Sequence, residues 1–403
     1  MQTLARVLRL GCIFFLLLAS GHGAAPPPLP WRIPPLDGEL EGDFKPGAAA
    51  DGPVLHWKIT ARTPRPRARS IELALDGPGA RVRLGATLDP AGEGTWELRE
   101  AELDLGRWLP VVGALTGQSF AGVTLAGTLS ASGAGPWRGG VAGGRAALTW
   151  RDGRVDDPAH KLTLEGVRGT VVVEDIATRR TAPGQVFTWT GGRYDVVAIG
   201  GGRAVWALDG DRLNIAEVTL AVFGGEVALS AMRVVLGSVE AEMTARITGI
   251  DAALVLPLFP QVVTSAQGRL DGTLSLRRDA EGVHLGAGRL ALPRGGTADV
   301  KLKPSPGLLT QSLPDAVRQY YPGLADLEAG RVPLRADVLE VTFDPAGDAE
   351  GRTARVRLAG GPVDPRMRAP IDLTVNIRGP LDTLVKFGTN SRLHWGGGEG
   401  NKR

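Results

Sequence analysis

Side chains able to do acid–base, nucleophilic or metal chemistry are few in this sequence, and they stand apart. Beyond residues 1–23, histidine occurs at His56, His160, His284 and His394, and no two of these sit at the short spacing that aims two imidazoles at one ion. The single cysteine, Cys12, lies inside the N-terminal apolar run, with Arg9 where a lipid-attachment motif wants an apolar residue, so the rest of the chain has no thiol and no disulfide. Asp156-Asp157 is an adjacent carboxylate pair, but Pro158 follows it and the stretch reads as a loop. Asp344-Pro-Ala-Gly-Asp348 carries oxygen ligands around a turn and lacks the later Glu of a calcium loop. Val197-Ala-Ile-Gly-Gly-Gly202 runs an apolar segment into glycines, as a dinucleotide fold does. Its sixth motif position is Val205, and an alternating segment (Ala204–Leu208) follows where a helix N-terminus would have to hold the pyrophosphate, so it reads as a hairpin turn. No catalytic residue, metal site or cofactor is expected.

The elements around these residues give the stronger signal. Val239, Ala241, Met243, Ala245 and Ile247 alternate with Glu240, Glu242, Thr244 and Arg246, and Ile371, Leu373, Val375 and Ile377 alternate with Asp372, Thr374 and Asn376. This period of two belongs to a sheet with one dry and one wet face. Similar segments recur at Leu55–Ala61, Ile71–Leu75, Val82–Leu88, Thr95–Leu105, Lys161–Glu174, Val186–Trp189, Tyr194–Ile199, Val338–Phe343 and Ala354–Leu358. Turn chemistry such as Asp76-Gly-Pro-Gly and Asp89-Pro-Ala-Gly separates them. With 57 glycines in 403 residues and only 5% aromatics, the chain reads as mainly β. Helices are expected to be short: Ala252–Phe259, capped by Asp251 and stopped by Pro260, and Gln311–Tyr321, capped by Ser312 and ended by Pro322-Gly323. A net charge of +3 from scattered basic residues gives nucleic acid nothing to hold.

Residues 1–23 carry Arg6 and Arg9, an apolar run and small residues, the pattern of a secretory signal peptide. Residues 24–53 read as a Pro/Gly-rich linker, and 390–403 as a disordered tail. A divergent duplication lies between. Leu105–Leu109 matches Ile250–Leu254, Ala126–Ser130 matches Asp271–Ser275, and Gly144–Leu148 matches Gly288–Leu292, with a truncated echo at Asn376–Phe387. The expected domains are a first repeat over 54–150 and a second region over 151–389.

Phe223-Gly-Gly-Glu-Val227, Ile250-Asp-Ala-Ala-Leu254, Gly268–Leu276, Gly282–Leu292 and Ala336–Phe343 resemble the YdbH-like proteins of the AsmA-like group of bacterial envelope proteins, over about residues 160–390. The resemblance implies an elongated, curled antiparallel sheet, a taco-like repeating β-groove, carrying phospholipids between inner and outer membranes. The apolar sides of Val239–Ile247 and Ile371–Ile377 are then the expected groove lining. The expected location is the periplasm of a Gram-negative-type envelope. Phospholipids, the membrane at one or both ends, and an envelope protein adding a strand at the C-terminal edge are the expected partners. The alternatives are a non-transporting scaffold and a dicarboxylate carrier, a label the family has also borne. The second finds no Arg or Lys cluster on the apolar side to hold paired carboxylates.

Overall fold

A computed structural model describes residues 37–378 apart from 46–53, 66–67, 110–121, 196, 237–240, 256–262, 279–282, 306, 308, 312, 322, 348–350 and 364–369. The signal peptide, the tail and most of the Asn376–Phe387 echo lie outside the described residues. The fold is mainly β: a single, mostly antiparallel sheet of 24 strands with a few short helices. The chain divides into two compact units. Unit 1 comprises Met1–Val218 and Ala231–Ser238, and unit 2 comprises Thr219–Ser230 and Val239–Arg403.

Unit 1 opens as a meander of hairpins, Leu55–Arg65, Ala68–Gly77, Ala80–Leu88 and Gly94–Asp104, each paired to the next. The turns use the chemistry their residues supply. Pro78-Gly79 joins two strands with Gly79 at φ 71°, a conformation that costs glycine little. The Asp89 carboxylate accepts the backbone N–H groups of Ala91 (2.8 Å) and Glu93 (3.0 Å) and closes the next loop. Three expectations are corrected here. Within the stretch read as a linker, Gly38–Phe44 forms a strand on Leu55–Arg65, because Leu40 and Phe44 fall opposite Ile59 and Leu55 and extend their apolar rows. The glycines at 200–202 make no turn but lie inside the strand Val197–Asp209; the turn falls earlier, at Asp195 (φ 53°). Asp156-Asp157 ends a strand rather than forming a loop. Asp157 is fully buried and pairs in register with Leu162 across the 3-10 turn Pro158–His160.

Unit 2 begins at Thr219, within the strand Arg212–Val222, whose end turns into Gly225–Leu229. The two turn residues, Phe223 (φ 49°) and Gly224 (φ 70°), both take positive φ, which matches the right-handed twist of the strands. The strands Ala241–Asp251, Arg269–Arg278, Val283–Ala291, Leu334–Phe343, Arg352–Pro362 and Ile371–Arg378 follow as a paired series. The helix expected over Gln311–Tyr321 is shorter, Asp315–Tyr320. Pro314 stands at its N-cap with no side-chain hydrogen bond, and Ser312 is outside the described residues. Gly323 does not stop the helical run but opens a second helix, Gly323–Glu328.

Two corners, one in each unit, have the same construction. In unit 1 the strand ending at Asp104 leads into a helix over 105–109, where the Asp104 carboxylate accepts the Gly106 N–H (3.0 Å) and the Asp104 N–H reaches the Gly79 carbonyl of the preceding turn (2.7 Å). In unit 2 the strand ending at Asp251 leads into Ala252–Val255, where Asp251 accepts the Ala253 N–H (2.9 Å) and its own N–H reaches the Phe223 carbonyl (2.7 Å). Asp104 therefore corresponds to Asp251, which moves the repeat alignment at this block by two residues. The apolar run alone could not fix that register, since Leu and Ile recur on both sides of the cap.

Candidate functional site

Antiparallel partners share a face, so the register shows how far each apolar face extends. In unit 1 one row runs Leu40, Ile59, Leu73, Leu84, Leu98 across five strands. Leu40 is 67% exposed, the three middle residues are half-buried, and Leu98 is 7% exposed. A neighbouring row runs from Trp57 through Leu75 and Val82, all half-buried, to Ala101, Ala131, Leu148 and Val171, all buried. The apolar face is thus open at the first strands and closes inward. The opposite face carries cross-strand ion pairs, including Lys58–Glu39 (2.7 Å) and Arg99–Glu72 (3.3 Å).

At the inner end the same face becomes aromatic. Trp150 opposes Gly169, which opposes Phe187, which opposes Ala204. A Cβ on Gly169 would come within 2.2 Å of the Phe187 ring, so only glycine lets that ring lie over its neighbour strand. Phe187 meets Trp150 edge-on (6.5 Å, 84°) and stacks on Trp206 (5.7 Å, 16°). The buried Trp189 and Trp206 indole N–H groups have no acceptor among the described residues. Leaving a buried donor unpaired costs about 1–3 kcal/mol each.

The residues expected from sequence to line a groove lie in unit 2, and four of the six whose side chains are described are core. Met243, Ala245 and Ile247 are buried (5, 2 and 8% exposed), as is Ile371 (9%), while Leu373 and Val375 are half-buried. Val239 and the side chains of Ala241 and Ile377 lie outside the described residues. One row does join the two expected segments, from Val227 through Ile247, Gly272, Leu290, Val341 and Val356 to Val375. Leu324 and Leu327 of the second helix pack into the same core cluster, with Leu309, Leu313 and Tyr321 against it. Glu328 holds this segment in place: its carboxylate accepts the N–H groups of Leu309 (3.0 Å) and Thr310 (3.1 Å) and the Thr310 hydroxyl (2.8 Å). Burial pushes the Glu328 carboxyl up, but those donors together outweigh it, and its pKa lies below the usual carboxylate value.

No lysine, arginine or histidine is buried among the described residues, and no three metal-ligating side chains converge there. The Asp344 segment is a turn, with the Gly347 N–H on the Asp344 carbonyl (2.9 Å). No helix of the described residues is long and apolar enough to cross a membrane. Sequence reasoning noted the alternation of Leu55, Trp57, Ile59 and Ala61 but did not single these residues out. Alternation assigns a side chain to a face and is silent on what covers it.

No curated protein and no solved structure matches the chain. A protein-family model does: YdbH-like, described as intermembrane phospholipid transport protein YdbH, matches residues 100–317, just over half the sequence. The match begins earlier than the resemblance read from the sequence and ends inside the helix Asp315–Tyr320, before Gly323–Glu328. It takes in both Asp-capped corners and the aromatic interior of unit 1, and the chain belongs to the YdbH-like family of intermembrane phospholipid transport proteins.

Proposed function

We propose that this protein is a periplasmic carrier, secreted by its N-terminal signal into a Gram-negative-type envelope, that moves phospholipids between the inner and outer membranes with their acyl chains on the apolar face of the sheet. The observation that carries this reading is the graded row from Leu40 to Leu98, a continuous apolar surface that is open at one end and buried at the other. Water-exposed apolar surface of this extent is costly to keep unless something covers it. The absence of buried cations among the described residues fits a ligand whose charged headgroup stays in water. It also disfavours a dicarboxylate. The protein acts as a carrier rather than a catalyst in this reading.

The test combines lipid mass spectrometry of the purified protein with photo-crosslinking side chains placed on the two faces. Phospholipid should co-purify. Probes at Ile59 and Leu73 should capture it, while probes at Thr60 and Glu72, on the opposite face, should not. Equal capture from both faces, or a protein free of lipid, contradicts the proposal and favours a scaffold.

A further inference from the structure

Five tryptophans are buried in unit 1. Three of them give their indole N–H to a backbone carbonyl: Trp96 to Gly143 (2.9 Å), Trp108 to Pro78 (3.1 Å) and Trp150 to Ala126 (3.1 Å). Trp189 and Trp206 are the exceptions, with no acceptor among the described residues. They stand on adjacent paired strands on either side of Phe187. Trp206 lies opposite Gln185 and Trp189 opposite Gly202, so the two positions are about 13 Å apart along the strands.

The other polar groups at this end are already engaged. Gln185 accepts the Val172 N–H (2.8 Å) and donates to the Ala182 carbonyl (2.7 Å), and the Thr181 hydroxyl accepts the Leu208 N–H (2.8 Å). The two indoles are what remains. A chain that pairs three of its five buried indoles with backbone, and leaves two unpaired on one apolar surface, keeps two donors for an acceptor from outside. That acceptor must be uncharged, because no lysine or arginine is buried among the described residues to balance a phosphate or carboxylate. It must also be flanked by apolar groups that suit Phe187 and the stacked ring of Trp206. An ester carbonyl between a glycerol backbone and an alkyl chain has both properties.

We infer that Trp189 and Trp206 donate their indole N–H groups to the acyl ester carbonyls of a glycerophospholipid held at the inner end of the apolar face. The inference rests on the lipid-carrier reading above and adds to it which atoms of the lipid the protein recognises. Loading requires the aromatic side chains to part, since both nitrogens are shut off from solvent.

The experiment compares binding of the full chain to two phosphatidylcholines of equal chain length, one diacyl and one dialkyl ether, which lacks the carbonyls. Vesicles of each are offered while the indole N–H resonances of Trp189 and Trp206 are followed. The diacyl lipid should bind about tenfold more tightly, the ratio given by ~1.4 kcal/mol, and only it should move the two resonances. Trp189→Phe with Trp206→Phe should bring diacyl affinity down to that of the ether. Should the double variant fail to fold, benzothienylalanine at position 206, which keeps the shape and removes the donor, makes the same comparison. Equal affinity for the two lipids with unmoved resonances overturns the inference and leaves the carrier reading intact. Binding of neither lipid overturns both. Indole protons that exchange with water at the same rate with and without bound diacyl lipid show that the lipid does not take them up and also overturn the inference.

Discussion

The two units treat the same kind of apolar face differently. In unit 1 the apolar face of the first four strands stays half-buried or exposed apart from Ala80 and closes toward the aromatic interior, and apart from Trp108, Leu109 and Ile176 every buried apolar side chain comes from a strand. In unit 2 the rows are buried almost to the last described strand, and the helical segment 305–332 contributes Leu324 and Leu327 to their core. Both units share the corner in which an aspartate caps a short helix and ties it to a preceding turn. What separates them is cover. An apolar row that meets its own chain's helices is a core, and one that meets solvent is available to a ligand.

A charge placed in each face should separate the two most strongly. Leu339→Asp, at a fully buried position of unit 2, puts a carboxylate where nothing can pair it and should cost several kcal/mol, of order 4 or more. Thermal or denaturant melts should show loss of that unit. Leu73→Asp, on the half-buried row of unit 1, should leave the fold standing and abolish lipid capture. A Leu73→Asp protein that melts like Leu339→Asp would erase the distinction.

Truncation gives the next effect. Leu327→Ala should destabilise by about 2–5 kcal/mol through the cavity it leaves, whereas Leu40→Ala, at an exposed edge, should stay within about 0.5 kcal/mol. Glu328→Gln follows at about 1–3 kcal/mol, because an amide cannot accept all the donors the carboxylate holds. The folded pKa of Glu328 is lowered, so its contribution is complete above the ordinary carboxylate range and is lost as pH falls through the lowered folded value. Denaturant midpoints measured from neutral pH downward should show this loss in the wild type, and Glu328→Gln should lack that component. Smallest and most alike should be the two caps. Asp104→Ala and Asp251→Ala should each cost about 1 kcal/mol, and a large difference between them would break the equivalence of the corners.

Much of this was legible in the sequence. The alternation of Met243, Ala245 and Ile247 against Glu242, Thr244 and Arg246 gave the strand and its faces correctly, since a period of two admits no other regular element. Asp251 as a cap was readable from side-chain chemistry alone, whereas the turn that the glycines suggest at Gly224-Gly225 falls one residue earlier, at Phe223-Gly224. The errors came where tertiary partners decide. Gly200–Gly202 looks like a turn because glycine is poor in strands, yet the ladders before and after it, Val197–Ile199 on Gly192–Tyr194 and Gly202–Trp206 on Gln185–Trp189, carry the strand through. Burial was the larger gap. Met243 and Leu73 have the same local pattern, yet one is buried and the other half-buried. The unpaired indoles of Trp189 and Trp206 were likewise invisible, since an acceptor's presence depends on which carbonyls fold against the ring.

The most direct test of the account places one photo-crosslinking side chain at Leu73 and, in a separate protein, at Met243, and compares capture of phospholipid in cells. Leu73 should label strongly and Met243 weakly or not at all. Strong labelling at Met243 with none at Leu73 would contradict the account and return the lipid path to the buried face of unit 2.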